Sequence, residues 1–150
     1  MADVHNKDIR SYNMSRIGSK GTGPELIVRK YLYAMGLRYR LNVHSLAGKP
    51  DVVFKKFSVA LFINGCFWHG HTDCKYFKIP KTRSEWWSKK IECNRLRDQS
   101  NMNELKKSGW HTITVWQCQL KNGNKEKTLN TLFEKIREFQ DKRLISLDSL

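Results

Sequence analysis

An α/β fold, a small mixed sheet flanked by helices, is predicted by three patterns and their order. Helical periodicities bounded by proline and glycine begin near residue 24 and return across the second half of the chain. Short runs rich in β-branched and aromatic residues lie between them. Read in order, these give helix, three strands, loop, helix, strand, helix, which suits a sheet covered by helices. The 150 residues suffice for one domain with an ordinary core.

Residues 1–21 are polar, and Gly18, Gly21 and Gly23 mark a flexible arm, leaving a single domain expected over 22–143. Thr22 is placed to cap a helix that begins near Pro24 and stops at Gly36, with proline just inside the start and glycine past the end. Val28, Leu32 and Met35 fall on one face of it. Strands are expected at 39–43, 51–54 and 59–63, with turns at Gly48-Lys49-Pro50 and Lys55-Lys56. A loop over 64–82 follows, and Ser84 is placed to cap a long helix reaching Ser108 and stopped by Gly109. Thr112, Ile113, Thr114 and Val115 give a strand over 111–116 its β propensity. After a break at Asn122-Gly123, Leu129, Phe133, Ile136 and Phe139 form the stripe of a last amphipathic helix. Residues 144–150 read as a frayed tail.

The charge narrows the function. Lys and Arg number 28 against 14 acidic residues, a formal net charge of +14. Such an excess points to a polyanion, either nucleic acid or an anionic membrane surface; a basic solvated face without a partner is the bland alternative. The basic residues are spread along the chain rather than lined up on one amphipathic helix, which weighs against the membrane. No stretch approaches the roughly 20 apolar residues of a membrane span. The polar start lacks the apolar core of a signal peptide, so a cytoplasmic protein with reduced thiols is expected.

In that setting the cysteines read as metal ligands or buried side chains. Cys66-x4-His71-x2-Cys74 supplies three soft or borderline ligands from one short loop, and Cys118 directly follows a predicted strand. Four such ligands make a tetrahedral structural zinc site. The loop has no evident core of its own, so a metal could supply its folding energy. Cys93 is left over and reads as a small helix residue. A closed four-ligand zinc has no open coordination position, so the chemistry is expected elsewhere.

Asp51 opens the apolar run Val52-Val53-Phe54, where a carboxylate can ligate a hard cation such as magnesium; alone, it reads as a turn residue after Gly-Lys-Pro. Glu25 falls in the first turn of the first helix, where it can favour the helix dipole or reach a metal through water. Asp98 shares a helical stripe with Ile91, Met102 and Leu105, and a carboxylate on a core-facing stripe needs a histidine or arginine partner. His69 is free to act as general acid or base if His71 is the zinc ligand, although spacing permits the two to exchange roles. Phe67, Trp68, Trp86 and Trp87 can stack on or wedge between bases, or form a local core. Trp87, on the stripe with Ile91, is the best core candidate of the four, and Trp68 and Trp86 are the best wedges.

With these residues the chain resembles the very short patch repair endonucleases, which nick DNA at T·G mismatches. The resemblance runs over about residues 1–121. It is carried by Met-Ala-Asp-Val-His at the start, Asn13-Met14, Glu25, Gly-Lys-Pro-Asp51, Gly-Cys-Phe-Trp-His69, Lys-Ile-Pro-x-Thr-Arg83 and Val-Trp-x-Cys118. It implies a restriction-endonuclease-like core with a structural zinc loop. The implied reaction is a cut 5′ of the mismatched thymine left by deamination of 5-methylcytosine. The resemblance implies catalytic magnesium on Asp51 and the main-chain oxygen of Ile63, with His69 as general base and Glu25 and Asp98 in support. It implies zinc on Cys66, His71, Cys74 and Cys118. Phe67, Trp68 and Trp86 or Trp87 would enter the stack from the major groove, with Met14 and the arm at the minor groove.

The implied partners are duplex DNA holding a T·G mismatch, mismatch-repair proteins and a cognate cytosine-5 methyltransferase. The expected setting is a nucleoid-associated protein of the bacterial cytoplasm, monomeric by default. Restriction-like enzymes usually carry a second acid and a lysine on the strand after the first aspartate. Leu61-Phe62-Ile63-Asn64 offers neither, as is usual in this family. Ile63 replaces the threonine of some members, which leaves a main-chain contact intact. Asn64 stands where a histidine or aspartate can assist; it can hydrogen-bond but cannot shuttle a proton, so His69 carries that load. Two other readings stay open, a same-fold nuclease without mismatch selectivity and a zinc-stapled DNA-binding module without turnover.

Overall fold

The computed structural model describes residues 23–121 and 123–148, with side chains described to residue 142. The arm expected over 1–21, Met14 within it, and the cap expected of Thr22 lie outside the described residues.

Helix α1 spans Gly23–Ala34 and buries Glu25, Val28 and Leu32. It ends in a Schellman turn. Gly36 adopts φ 90°, its N–H donates to Tyr33 O at 3.0 Å, and the Leu37 N–H donates to Leu32 O at 3.1 Å. The reversal corrects one expectation. Met35 is 44 % exposed rather than on the buried face, because the helix stops at Ala34 and Leu37 turns back into the core instead.

The sheet has four strands in the order β1 (Arg40–Leu41), β2 (Val52–Phe54), β3 (Val59–Asn64) and β4 (His111–Trp116). β1–β2 and β2–β3 pair antiparallel, and β3–β4 pair parallel, so the sheet is mixed as expected. β1 is shorter than the predicted 39–43, since Asn42 takes a left-handed φ of 49° and breaks the extended chain. A 3-10 turn, Lys55–Phe57, followed by left-handed Ser58, joins β2 to β3. β3 gains Asn64 at its end by pairing with Trp116.

Helices cover both faces. Val59 and Leu61 pack with α1 and with helix α3, Lys125–Asp148, through residues such as Leu32, Leu132 and Ile136. Ala60 and Phe62, on the alternate face, pack with Leu105 of helix α2, Ser84–Lys107. A strand buried on both faces reads as an unbroken apolar run, as Val59–Ile63 does. Each Leu, Ile or Val fully buried in this way contributes about 1.5–3 kcal/mol. Ser84 is the first residue of α2 and not its cap. Arg83 holds the cap position at φ 57° without a side-chain bond, its guanidinium lying 4.8 Å over the Trp86 ring. α3 starts before Leu129 and continues through residues 144–148, which the sequence suggested as a tail. Among the described residues, no helix is long and apolar enough to cross a membrane.

This topology gathers the site. β3 and β4 run parallel, so the loop leaving Asn64 and the 3-10 turn Gln117–Leu120 leaving Trp116 emerge side by side. β2 runs the other way, so its first residues lie at the same edge.

Candidate active site

Asp51 precedes β2 and meets the end of β3, where its Oδ2 accepts the Ile63 N–H at 2.7 Å. Glu25, 2 % exposed on the first turn of α1, hydrogen-bonds the same carboxyl. Burial, reinforced by Glu25, pushes the Asp51 carboxyl up to about 7, against the opposing pull of the Ile63 N–H and His69. Two carboxyl groups crowded in a half-dry cleft repel each other once ionised. Oxygen donors of this kind suit a hard divalent cation, which would relieve that repulsion.

His69 stands across the cleft. Its Nδ1 lies 2.6 Å from Asp98 Oδ2, and both side chains are about one-third exposed, at 32 % and 31 %. The partner expected for a carboxylate on the α2 stripe is therefore His69. With the Nδ1 proton donated to Asp98, Nε2 is left to accept one. A cleft of about 710 Å³ brings Glu25, Asp51, Asn64, Trp68, His69 and Asp98 together.

Helix α2 fixes the loop that carries His69. Asn94 Nδ2 donates to Trp68 O at 2.9 Å, and Arg95 Nε donates to Gly70 O at 2.9 Å. Gly70 has φ 59°, and a Cβ there would lie 2.4 Å from Arg95 Nε and 2.6 Å from Ile91 Cγ2. The sequence motifs do not single out Asn94 and Arg95. Asn94 does carry a signal in its spacing, on the same stripe as Ile91 and Asp98, and the structure leaves it 7 % exposed.

Beyond His69 the loop folds around a second cluster. One ligand atom each of Cys66, His71, Cys74 and Cys118 lie within 4.8 Å of one another, so the four could hold a metal ion. Cys118 Sγ is 3.4 Å from His71 Nδ1, and the Cys118 N–H donates to Cys66 Sγ at 3.4 Å. Burial raises the Cys66 thiol and, with Cys66 and Cys74 alongside, pushes the Cys118 thiol up to about 12. Burial opposes ionisation of Cys74 as well. There the Tyr76 and Phe77 N–H groups and the neighbouring thiols win, and the thiol is lowered. Burial also lowers His71, favouring its neutral, ligating form. Three thiols at one point ionise together only around a cation, and a neutral imidazole lies beside them, so the donor set fits a metal. His71 stacks on Trp116 at 4.1 Å and 7° between planes. In the sequence, Trp116 stands out only within the Val-Trp-x-Cys118 pattern. Cys93 is exposed and apart from the cluster.

The aromatic candidates form one patch beside the cleft. Phe67 lies 5.2 Å from Trp68 and 5.3 Å from Trp87, and Trp86 lies 4.8 Å from Trp87, centroid to centroid. Trp87 is partly buried at the centre of the patch, whereas Trp68 and Trp86 are 38 % and 46 % exposed. Met14 lies outside the described residues.

The model of the DNA mismatch endonuclease Vsr family matches residues 2–76. The type II nicking enzyme V.NmeAIP of Neisseria meningitidis is 43 % identical over 141 residues, covering 94 % of this chain and 99 % of that protein. The DNA mismatch endonuclease Vsr of Escherichia coli is 40 % identical over 139 residues, covering 93 % and 88 %. The type II nicking enzyme V.XorIIP of Xanthomonas oryzae is 45 % identical over 120 residues, covering 80 % and 88 %.

Proposed function

The chain belongs to the Vsr family of DNA mismatch endonucleases, and from that premise we propose that it nicks duplex DNA 5′ of the thymine in a T·G mismatch. The observation that carries this reading is the meeting of an acid pair, Asp51–Glu25, with a histidine–acid pair, His69–Asp98, in one cleft beside an aromatic patch.

Asp51 and the main-chain oxygen of Ile63 would hold a magnesium ion, which supplies charge neutralisation at the phosphate and lowers the pKa of water. Glu25 lies beside Asp51 and would orient water there. His69 accepts the proton of the attacking water at Nε2. Asp98 keeps the Nδ1 proton in place and stabilises the imidazolium that forms. Asn64 lines the cleft and can donate to a phosphate or a water, but it moves no proton. Cys66, His71, Cys74 and Cys118 would hold zinc, a closed site that serves folding. Phe67, Trp68 and Trp86 enter the base stack from the major groove, backed by Trp87, and Met14 and the arm approach the minor groove. The restriction-endonuclease-like core is the frame for these roles. The setting is the bacterial cytoplasm, at the nucleoid, with mismatch-repair proteins and a cytosine-5 methyltransferase as partners of a monomer.

End-labelled duplexes with one T·G pair at varied flanking sequence, incubated with magnesium or with none, test this reading against matched T·A duplexes. A magnesium-dependent nick just 5′ of the thymine, absent from T·A, is the expected result. Equal cutting of T·A would show a nuclease without mismatch selectivity. Binding without any cut would show a DNA-binding module.

A further inference from the structure

We infer that Lys49 is a catalytic contact of the nicking reaction, setting its ammonium against a non-bridging oxygen of the phosphate that is cut. The inference rests on the nicking reading above. Among the described residues that line the cleft, Lys49 is the one lysine or arginine, and it shares that lining with Glu25, Asp51 and Asp98. It is exposed, and no acid pairs with it among the described residues.

The backbone around it is tightly constrained. Lys49 has a left-handed φ of 50°, a conformation that costs any residue with a Cβ. Gly48 before it has φ 75°, and a Cβ there would crowd Phe62 and Asn101 at 3.1 Å. Pro50 after it is fully buried, and the Lys49 N–H donates to Leu46 O at 3.1 Å. A glycine at 49 would adopt this turn without strain, yet the strained position carries a lysine. Backbone outliers that persist beside a catalytic cleft are a reason to look for function.

The chemistry of the cleft calls for such a group. As a phosphodiester is attacked, negative charge builds on its non-bridging oxygens, and fixed positive charge there lowers the barrier. Three carboxyl groups surround this cleft, and each opposes that charge. The end of β3, Leu61-Phe62-Ile63-Asn64, offers no cation. Lys49 approaches from the turn before Asp51 instead, with three rotatable donors on a flexible stem.

The test compares the parent with Lys49→Ala, Lys49→Arg and Lys49→Gly at saturating T·G duplex, under single-turnover conditions with magnesium. Loss of the cation should slow nicking about 100-fold in Lys49→Ala and Lys49→Gly. Lys49→Arg should stay within about tenfold of the parent. Duplex binding should weaken far less than nicking, and its salt dependence should fall by about one phosphate contact. Lys49→Gly also relieves the left-handed strain, so it should melt at or above the parent temperature, separating lost chemistry from lost folding. Nicking by Lys49→Ala at the parent rate overturns the inference alone. A slowed rate that arginine does not restore also overturns it, because the loss is then one of turn geometry. A parent that cuts no T·G duplex overturns the nicking reading and this inference with it.

Discussion

Asp51 is held in a state that water would not choose. Its carboxyl ordinarily titrates near 3.8, and burial with Glu25 alongside raises it to about 7. A carboxyl whose folded-state pKa is raised adds stability below its unfolded value and loses that contribution as pH climbs through the folded one. The ionised carboxyl therefore costs the magnesium-free protein stability above pH 7 and costs it almost nothing near pH 4. Asn at this position stays neutral and can still accept the Ile63 N–H. In magnesium-free buffer, Asp51→Asn should be more stable than the parent at pH 8 by on the order of 2–3 kcal/mol, with a smaller gain at pH 5. Urea unfolding at the two pH values checks this, and an equal gain at both would mean that the charge is not its source. The same variant should lose nicking and keep duplex binding, since it lacks the charge that a cation needs. The tautomer of His69 likewise depends on its neighbour, because a proton on Nδ1 shared with Asp98 leaves Nε2 as the acceptor.

The loop after β3 depends on α2 for its shape, and Gly70 is where the two come closest. Its φ of 59° and the 2.6 Å from an added Cβ to Ile91 leave no room for a side chain. Arg95 is long enough to swing away, but Ile91 is 2 % exposed and fixed in the core. Gly70→Ala should destabilise the protein by on the order of 2–4 kcal/mol, and the nicking rate should fall with the displacement of His69. A melting curve and a nicking rate like the parent's would show that the loop re-forms without this packing. Elements with strong periodicity, such as α2 and β4, were readable from sequence. So was the pairing need of Asp98, because a carboxylate on an apolar stripe has few resolutions. Two of the boundaries that sequence missed are set by left-handed residues other than glycine. Asn42 cuts β1 short, and Arg83 displaces Ser84 from the cap. Nothing local marks such residues, since the surrounding fold imposes their conformation. Arg95 is equally unmarked, since its role is to bond a carbonyl of a loop far away in sequence.

At the scale of the molecule, the parallel pair β3 and β4 sets two centres on one edge. The chain leaves β3 into the Cys66–Cys74 loop, and it leaves β4 through Cys118, which returns to that loop. A metal at the four ligands would thus tie the ends of both strands together, while the apolar core packs on either side of the sheet at a distance. The loop carries His69 and Trp68, so on the proposed reading a metal there would govern chemistry and mismatch recognition at once. Trp68 is exposed in the aromatic patch, and on the same reading it would govern recognition alone. These dependencies give two distinct expected losses. Cys118→Ala should drop the zinc content from about one ion per chain and should lose both nicking and T·G preference, because an incomplete ligand set releases the loop. Trp68→Ala should keep its zinc and its cutting of duplex DNA while the ratio of T·G to T·A cutting falls by about tenfold or more, the worth of one stacking contact. Elemental analysis, far-ultraviolet circular dichroism and the paired nicking assay read both variants. Zinc retained in Cys118→Ala would remove that residue from the site, and an unchanged T·G preference in Trp68→Ala would make its ring part of the local core.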